Sequence, residues 1–205
     1  MVIVLDGETE YIINDHKYLA KKNDLKKVYV HCFLDGRDTP PSSAEGYLAQ
    51  LSNEIKGLNG VEIATIEGRF YAMVRDKRWD RVELAYNNLV MADGKRFATA
   101  DEAIKNSYEN KVTDEFVLPA VIGDYKGMED GDAVLMANFR ADRAREILYA
   151  LADSEFTGFE RKKIVKLSNS VGMTEYSVDH NRFMKTIFPP EALVNILGEV
   201  VANNG

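Results

Sequence analysis

Three apolar, β-type stretches of this 205-residue chain run straight into arginines beside an aspartate. Val28 to Asp38 ends in Asp35-Gly36-Arg37-Asp38, Ile63 to Asp76 carries Gly68-Arg69 and Arg75-Asp76, and Ala133 to Arg143 ends in Arg140-Ala141-Asp142-Arg143. Guanidinium groups are rigid planar forks that grip carboxylate and phosphate oxygens two at a time. In an open α/β sheet the ligand crevice lies at the carboxyl ends of parallel strands. Three strands that each end in arginine therefore predict one pocket, built for an oxyanion such as phosphate or carboxylate.

Each segment also has a plainer reading. Asp35-Gly36 after a strand is an ordinary turn. Arg37 and Asp38 lie where a strand hands over to a helix, and an adjacent Arg and Asp could hold an oxyanion and shuttle a proton. They could equally be a surface ion pair worth under about 1 kcal/mol, and the segment alone leaves both open. Arg69, Tyr71, Arg75, Asp76, Lys77, Arg78 and Arg81 form the densest basic run. It reads as a solvated helix start, with Lys77 to Arg81 balanced by Asp76 and Asp80. Cations are unfavourable in a first helical turn, which tilts Arg75, Lys77 and Arg78 toward an anion-binding role. Trp79 reads as core. Arg140 and Arg143, three apart, share a face of a first turn beside free backbone N–H groups, an arrangement suited to an oxyanion. Arg145 points elsewhere, as a surface residue or the partner of an acid.

The elements that must position these groups alternate. Strands are expected at Val28–Leu34, Val61–Glu67, Phe116–Ile122, Ala133–Asn138 and Ile164–Ser168, several continuously apolar as in strands buried on both faces. Ser42-Ser-Ala-Glu45 after two prolines reads as a capping box opening a helix with Ala44, Tyr47, Leu48, Leu51 and Ile55 on one stripe. A second helix is expected from about Lys77 to Ala92, a third capped by Thr99, a fourth from near Arg140, and a fifth opened by Pro189-Pro190. Such alternation predicts an α/β fold, a three-layer α/β/α sandwich with a mostly parallel central sheet. Lys111–Asp132 reads as a surface excursion. The tail from Gly172 to Gly205 reads as a hinge and a helix outside the sheet.

The net charge of −7 argues against a nucleic-acid footprint but leaves room for a local positive pocket. A single cysteine, Cys32, excludes an intrachain disulfide and a cysteine metal cluster; inside an apolar run it reads as a buried thiol, consistent with a reducing cytoplasm. No run of about 18 apolar residues predicts a membrane span, and Met1–Asp6 lacks the basic region of a signal peptide. His31 reads as packed in a strand, His16 and His180 as exposed, so no metal site made by this chain alone is expected. Serine-hydrolase, P-loop and dinucleotide motifs are absent.

With these residues in view, the chain resembles a known family. His31-Cys-Phe-Leu-Asp-Gly-Arg-Asp-Thr-Pro-Pro-Ser42, Gly68-Arg-Phe-Tyr-Ala-Met-Val-Arg-Asp-Lys-Arg-Trp-Asp-Arg81 and Asn138-Phe-Arg-Ala-Asp-Arg-Ala-Arg145 are similar to the cofactor-independent (2,3-bisphosphoglycerate-independent) phosphoglycerate mutases. The likeness continues through Met173-Thr-Glu-Tyr176 and Phe188-Pro-Pro190 and covers roughly Val28 to Gly205. It implies the inserted phosphotransferase (substrate-binding) domain at 28–171, an N-terminal flank at 1–27, and a C-terminal flank or hinge at 172–205 leading toward a phosphatase-like domain. It further implies a cytoplasmic, monomeric glycolytic isomerase that interconverts 3-phosphoglycerate and 2-phosphoglycerate. In that family a serine of the phosphatase-like domain, which also carries two manganese ions, takes the phosphate. The glycerate then turns and receives it on the 2-hydroxyl. Arg37, Asp38, Arg69, Arg75, Arg140 and Arg143 map onto the family's substrate-binding positions, with Asp38 touching the glycerate hydroxyls and assisting proton transfer.

The chain departs from the family in lacking the metal-ligand and serine motifs, the lysine that follows the inserted domain, and the family's Ser-Asp-Gly-Gly-Val-His-Ser-His stretch, which Met1–Asp24 does not match. The fragment alone is therefore expected to be inactive, whether an excised piece or a natural truncation. The different-class reading is a stand-alone phosphate- or carboxylate-binding module without catalysis. No metal or cofactor, nucleic-acid partner or membrane is expected for this chain itself. Clustered guanidinium groups should repel, so either a bound anion or mobile arginines are expected.

Overall fold

The computed structural model describes residues 2–5, 27–190 and 197–204. Its eight-stranded sheet is ordered β4-β5-β3-β2-β1-β6-β7-β8. The strands are β1 (Val2–Leu5), β2 (Val28–Leu34), β3 (Val61–Gly68), β4 (Lys95–Phe97), β5 (Ala120–Ile122), β6 (Ala133–Met136), β7 (Asn169–Thr174) and β8 (Lys185–Phe188). Every pairing is parallel except β3 with β5. Helices α1 (Ala44–Ile55), α2 (Arg69–Ala72), α3 (Trp79–Met91), α4 (Ala100–Glu109), α5 (Ala141–Ala152) and α6 (Leu197–Asn204) complete the described elements, with short 3-10 turns at Asp114–Phe116 and Val178–Arg182.

The alternating inward side chains of β2 explain the layering. Val28, Val30, Cys32 and Leu34 pack with Ala44, Leu48 and Leu51 of α1 and Ala103 and Ile104 of α4. Phe33 points the other way, into a core with Val82, Tyr86 and Leu89 of α3 and Ile147, Leu148 and Leu151 of α5. Helices thus cover both faces, the expected three-layer α/β/α sandwich on a mostly parallel sheet.

Several boundaries differ from the expected ones. Val2–Leu5, in the segment expected to be a flank, runs between β2 and β6 and pairs with both. The tail does not leave the sheet at Gly172: β7 continues to Thr174, and β8 adds a further parallel strand. The strand expected at Ile164–Ser168 lies later, at Asn169–Thr174, and that expected over Phe116–Ile122 shrinks to Ala120–Ile122 behind the 3-10 turn. α3 starts at Trp79 because Lys77 is left-handed, with φ 54°, and its N–H donates to Glu146 Oε1 at 2.7 Å. The opening of the fifth predicted helix, over 191–196, lies outside the described residues, as does His16.

Two helix starts show how caps are made. Thr99 caps α4 as expected, its hydroxyl accepting from the Glu102 N–H at 3.1 Å. The box at Ser42–Glu45 does not form. Instead, the buried Asp114 carboxylate accepts from the N–H groups of Ser43 and Ala44, both at 2.9 Å, placing an anion at the positive end of α1. Tyr108 donates its hydroxyl to the other oxygen of Asp114. The turn that follows is thereby fixed above the sheet.

Candidate functional site

The sheet order reverses about β1: β2 and β3 lie to one side of it, β6 to the other. Such a switch point opens a crevice at the carboxyl ends of the strands. The three arginine-bearing segments leave β2, β3 and β6 there. The β2 segment turns through Gly36, whose φ of 68° suits glycine. Asp35 Oδ1 accepts from the N–H groups of Arg37 and Asp38, both at 3.0 Å, which sets the loop as the sequence predicts.

Arg69 is the hub. Its side chain is 3% exposed, and one guanidinium nitrogen donates to both Asp35 and Asp38, the latter at 3.0 Å. Burial opposes its charge, but the bonds to Asp35 and Asp38 outweigh it and hold its pKa above the ordinary value. Asp38 also accepts from Arg140, so a single carboxylate joins the ends of β3 and β6. Hydrogen bonds from Arg69 and then Arg140 keep the Asp38 pKa below the usual carboxylate range. Arg75 reaches Asp142 at 3.3 Å, and Arg37 lies 3.7 Å from Glu115.

Arg143 is the least settled. Its side chain is 16% exposed, Nη1 donates a long 3.4 Å bond to the Met73 carbonyl, and its buried Nε has no hydrogen-bond partner among the described residues. Burial first, then repulsion from Arg69 and Arg75, lowers its pKa. An oxyanion would satisfy this group directly.

A cavity of about 250 Å³ collects these groups, lined by Arg37, Arg69, Arg75 and Arg143 together with Arg81 and Glu115. Four of the five arginines singled out from the sequence face one space. The fifth, Arg140, joins through Asp38 rather than lining it. The repulsion expected among them is offset by interleaved acids: Asp35, Asp38, Glu115 and Asp142. Any incoming anion must compete with those carboxylates.

Sequence reasoning missed Glu115, Asp142 and Arg81. The sequence pattern pairs Arg81 with Lys77 along a helix, on a face that does not exist because Lys77 precedes α3. The Arg81 guanidinium instead sits 3.7 Å over the Phe70 ring. Arg145, as expected, points away, donating to the Tyr176 carbonyl at 2.6 Å. Trp79 packs edge-on against Phe156, partly buried against the core rather than within it. His31 and Cys32 are buried as predicted, but His180 is not exposed. It is 1% exposed, its ring wedged among Tyr149, Tyr176 and Phe183 and bonded to Ser177 and the Arg145 carbonyl.

The turn at Asp114–Phe116, which carries Glu115 to the pocket, rests on two glycines, Gly36 and Gly68. A Cβ at Gly68 would lie 2.2 Å from the Glu115 carbonyl oxygen and 2.6 Å from that of Asp114. Asp114 is anchored to α1, so the backbone cannot move away cheaply. Gly68→Ala is expected to cost at least about 2 kcal/mol, seen as a lowered urea midpoint. An unchanged midpoint would show that the turn adapts freely.

Comparison with known proteins bears on what such a pocket serves. The family model described as BPG-independent PGAM N-terminus, PGAM being phosphoglycerate mutase, matches residues 12–178. The chain belongs to that family. It is 53% identical over 189 residues to the 2,3-bisphosphoglycerate-independent phosphoglycerate mutase of Rhodopseudomonas palustris, covering 92% of this chain and 37% of that protein. The same-named protein of Clostridium perfringens is 50% identical over 191 residues, covering 91% of this chain and 37% of the relative. A crystal structure of the Leishmania mexicana phosphoglycerate mutase, at low cobalt concentration, superposes with a TM-score of 0.86 at 28% identity, over all of this chain and 41% of that one. The chain thus spans a little over a third of the length of these phosphoglycerate mutases.

Among the described residues no three His, Cys, Asp or Glu side chains gather where they could hold one metal ion. No helix there is long and apolar enough to cross a membrane.

Proposed function

We propose that this chain is the substrate-holding part of a phosphoglycerate mutase that interconverts 3-phosphoglycerate and 2-phosphoglycerate. The observation that carries the reading is the gathering of Arg37, Arg69, Arg75 and Arg143 around one cavity at the sheet's switch point, with Arg140 tied in through Asp38. A phosphoglycerate has two anionic ends separated by hydroxyl-bearing carbons. Several guanidinium forks can take the phosphate and the carboxylate at once, while a carboxylate between them faces the hydroxyls.

In this reading Asp38 changes character when the substrate arrives. Its pKa is depressed while Arg69 and Arg140 donate to it. As those arginines turn to the substrate's oxygens, Asp38 loses its cationic partners and its affinity for a proton rises. It then accepts a hydrogen bond from a glycerate hydroxyl and becomes a better base for that proton. The serine that takes up the phosphate, and the two manganese ions of the parent enzyme, belong in this reading to a phosphatase-like domain of the same parent chain. The residues described here do not fit a metal, so no step above runs through one. Residues 28–171 form the phosphotransferase part, completed in the sheet by Val2–Leu5 and Lys185–Phe188.

Two measurements on the 205-residue chain test this. Titration with 3-phosphoglycerate is expected to show binding that Arg140→Ala weakens by roughly tenfold, the value of one charge-assisted contact. Assay with manganese and 3-phosphoglycerate is expected to show no turnover. Robust turnover would overturn the division of labour, and an unchanged affinity in Arg140→Ala would overturn the arginine clamp. Binding of phosphate or sulfate as strong as that of 3-phosphoglycerate would favour a general anion-binding module.

A further inference from the structure

Arg81 stands apart from the other guanidinium groups of the pocket. Arg37, Arg69 and Arg75 each lie within 4 Å of an acid other than a sequence neighbour, and Arg143 lies 3.9 Å from the adjacent Asp142. Arg81 lines the same cavity, yet among the described residues it makes no ion pair; the nearby Asp80 is engaged by Arg78 at 3.3 Å. It is partly buried, in the first turn of α3, where the helix dipole disfavours a cation. What holds it is Phe70, whose ring lies 3.7 Å beneath the guanidinium. Phe70 is itself braced by Tyr71 and Phe116, with ring centroids at 5.1 and 5.2 Å.

A guanidinium stacked on a ring face has its plane fixed while its N–H groups point outward along that plane. That is the geometry for bidentate capture of an oxyanion. We propose that Arg81, on its Phe70 platform, is a further anion-binding residue of this pocket. It takes a phosphate or carboxylate oxygen pair without first surrendering an internal carboxylate. Arg37, Arg69 and Arg75 must exchange an acid for the ligand; Arg81 exchanges only water. The proposal rests on the pocket being an anion site, and the test separates the two.

The experiment titrates the 205-residue chain with 3-phosphoglycerate and, separately, with inorganic phosphate, following binding by calorimetry and folding by circular-dichroism melting. Arg81→Gln is expected to weaken binding of 3-phosphoglycerate by about tenfold, as one charge-assisted bidentate contact would. Phe70→Leu, which alters no charge, is expected to weaken it severalfold by releasing the fork. Arg78→Gln removes an equal charge next door, on a residue that the sequence tilts toward anion binding but that the structure turns onto Asp80, outside the cavity lining, and is expected to leave affinity within twofold. If Arg140→Ala weakens binding and Arg81→Gln does not, the role of Arg81 is overturned and the anion pocket stands. If Arg81→Gln and Arg78→Gln weaken binding equally, Arg81 acts only through net charge and the proposal fails. If Phe70→Leu binds normally, the platform is wrong. No binding by the unsubstituted chain overturns both readings.

Discussion

Arg69→Met is expected to empty the pocket of its organising charge and to remove about 3 kcal/mol of folding stability. What matters is which partners are stranded. Arg69 and Asp35 are 3% and 14% exposed, so the Asp35 carboxylate loses its guanidinium in a place where water reaches it poorly. Breaking a buried pair by removing one member is far more damaging than replacing both, because the uncompensated charge remains. Asp35 also shapes the loop through the N–H groups of Arg37 and Asp38, so its rearrangement moves two further site residues. Among the described residues Asp38 keeps Arg140 alone, and the link that runs through it between the ends of β3 and β6 is lost. Urea unfolding of Arg69→Met, Asp35→Asn and the double variant forms the cycle that checks this. The double variant is expected to be more stable than Arg69→Met alone. A single-variant loss below about 1 kcal/mol would mean that Asp35 finds water, and that the hub is no more than a surface pair.

What could be read from the sequence follows from what is local. A strand that runs into arginine is a pattern of consecutive residues, so the ends of β2, β3 and β6 and their convergence were visible without coordinates. The parallel sheet and its two helical layers follow from the same alternation. Contacts between remote segments leave no such pattern. Asp114 caps α1 from about 70 residues away, and so displaces the box that Ser42 and Glu45 spell out. Glu115 and Asp142 moderate Arg37 and Arg75 across the fold, and nothing near them in sequence announces it. Val2–Leu5 and Lys185–Phe188 are four-residue strands, too short to show a period, and register with their neighbours supplies what their own sequence does not. His180 looked exposed because polar residues surround it in sequence. Its burial comes from three aromatic rings, and the one whose centroid lies nearest, Tyr149, comes from a remote part of the sequence.

Glu67→Gln is expected to stabilise the protein strongly above neutral pH and to shift its pH optimum upward. Glu67 precedes Gly68-Arg69 on β3 and is completely buried, with Asn88 donating to one oxygen at 2.7 Å and the other oxygen unpartnered among the described residues. Desolvation pushes its pKa from 4.5 up to about 8, against the smaller opposing effect of the Asn88 bond. The folded state therefore binds a proton that the unfolded chain releases above 4.5. Stability from this group is complete below 4.5 and lost as pH rises through about 8, at a slope approaching 1.4 kcal/mol per unit. His31, also fully buried with Nδ1 on the Thr65 hydroxyl, acts in the opposite sense. Burial lowers its pKa from 6.5 to about 3, so its contribution is complete above 6.5 and lost as pH falls toward 3. Between the two ordinary values the slopes oppose, and they cancel halfway, at about pH 5.5. From these two groups the native chain should be most stable near that pH and lose roughly 2 kcal/mol by pH 8.5, the larger Glu67 loss being partly offset by the His31 gain. The amide that Glu67→Gln introduces cannot ionise, so only the His31 limb remains, and the optimum becomes a plateau above about pH 6.5. Urea midpoints from pH 5 to 8.5 decide the matter: an alkaline decline that survives in Glu67→Gln would place the ionising group elsewhere.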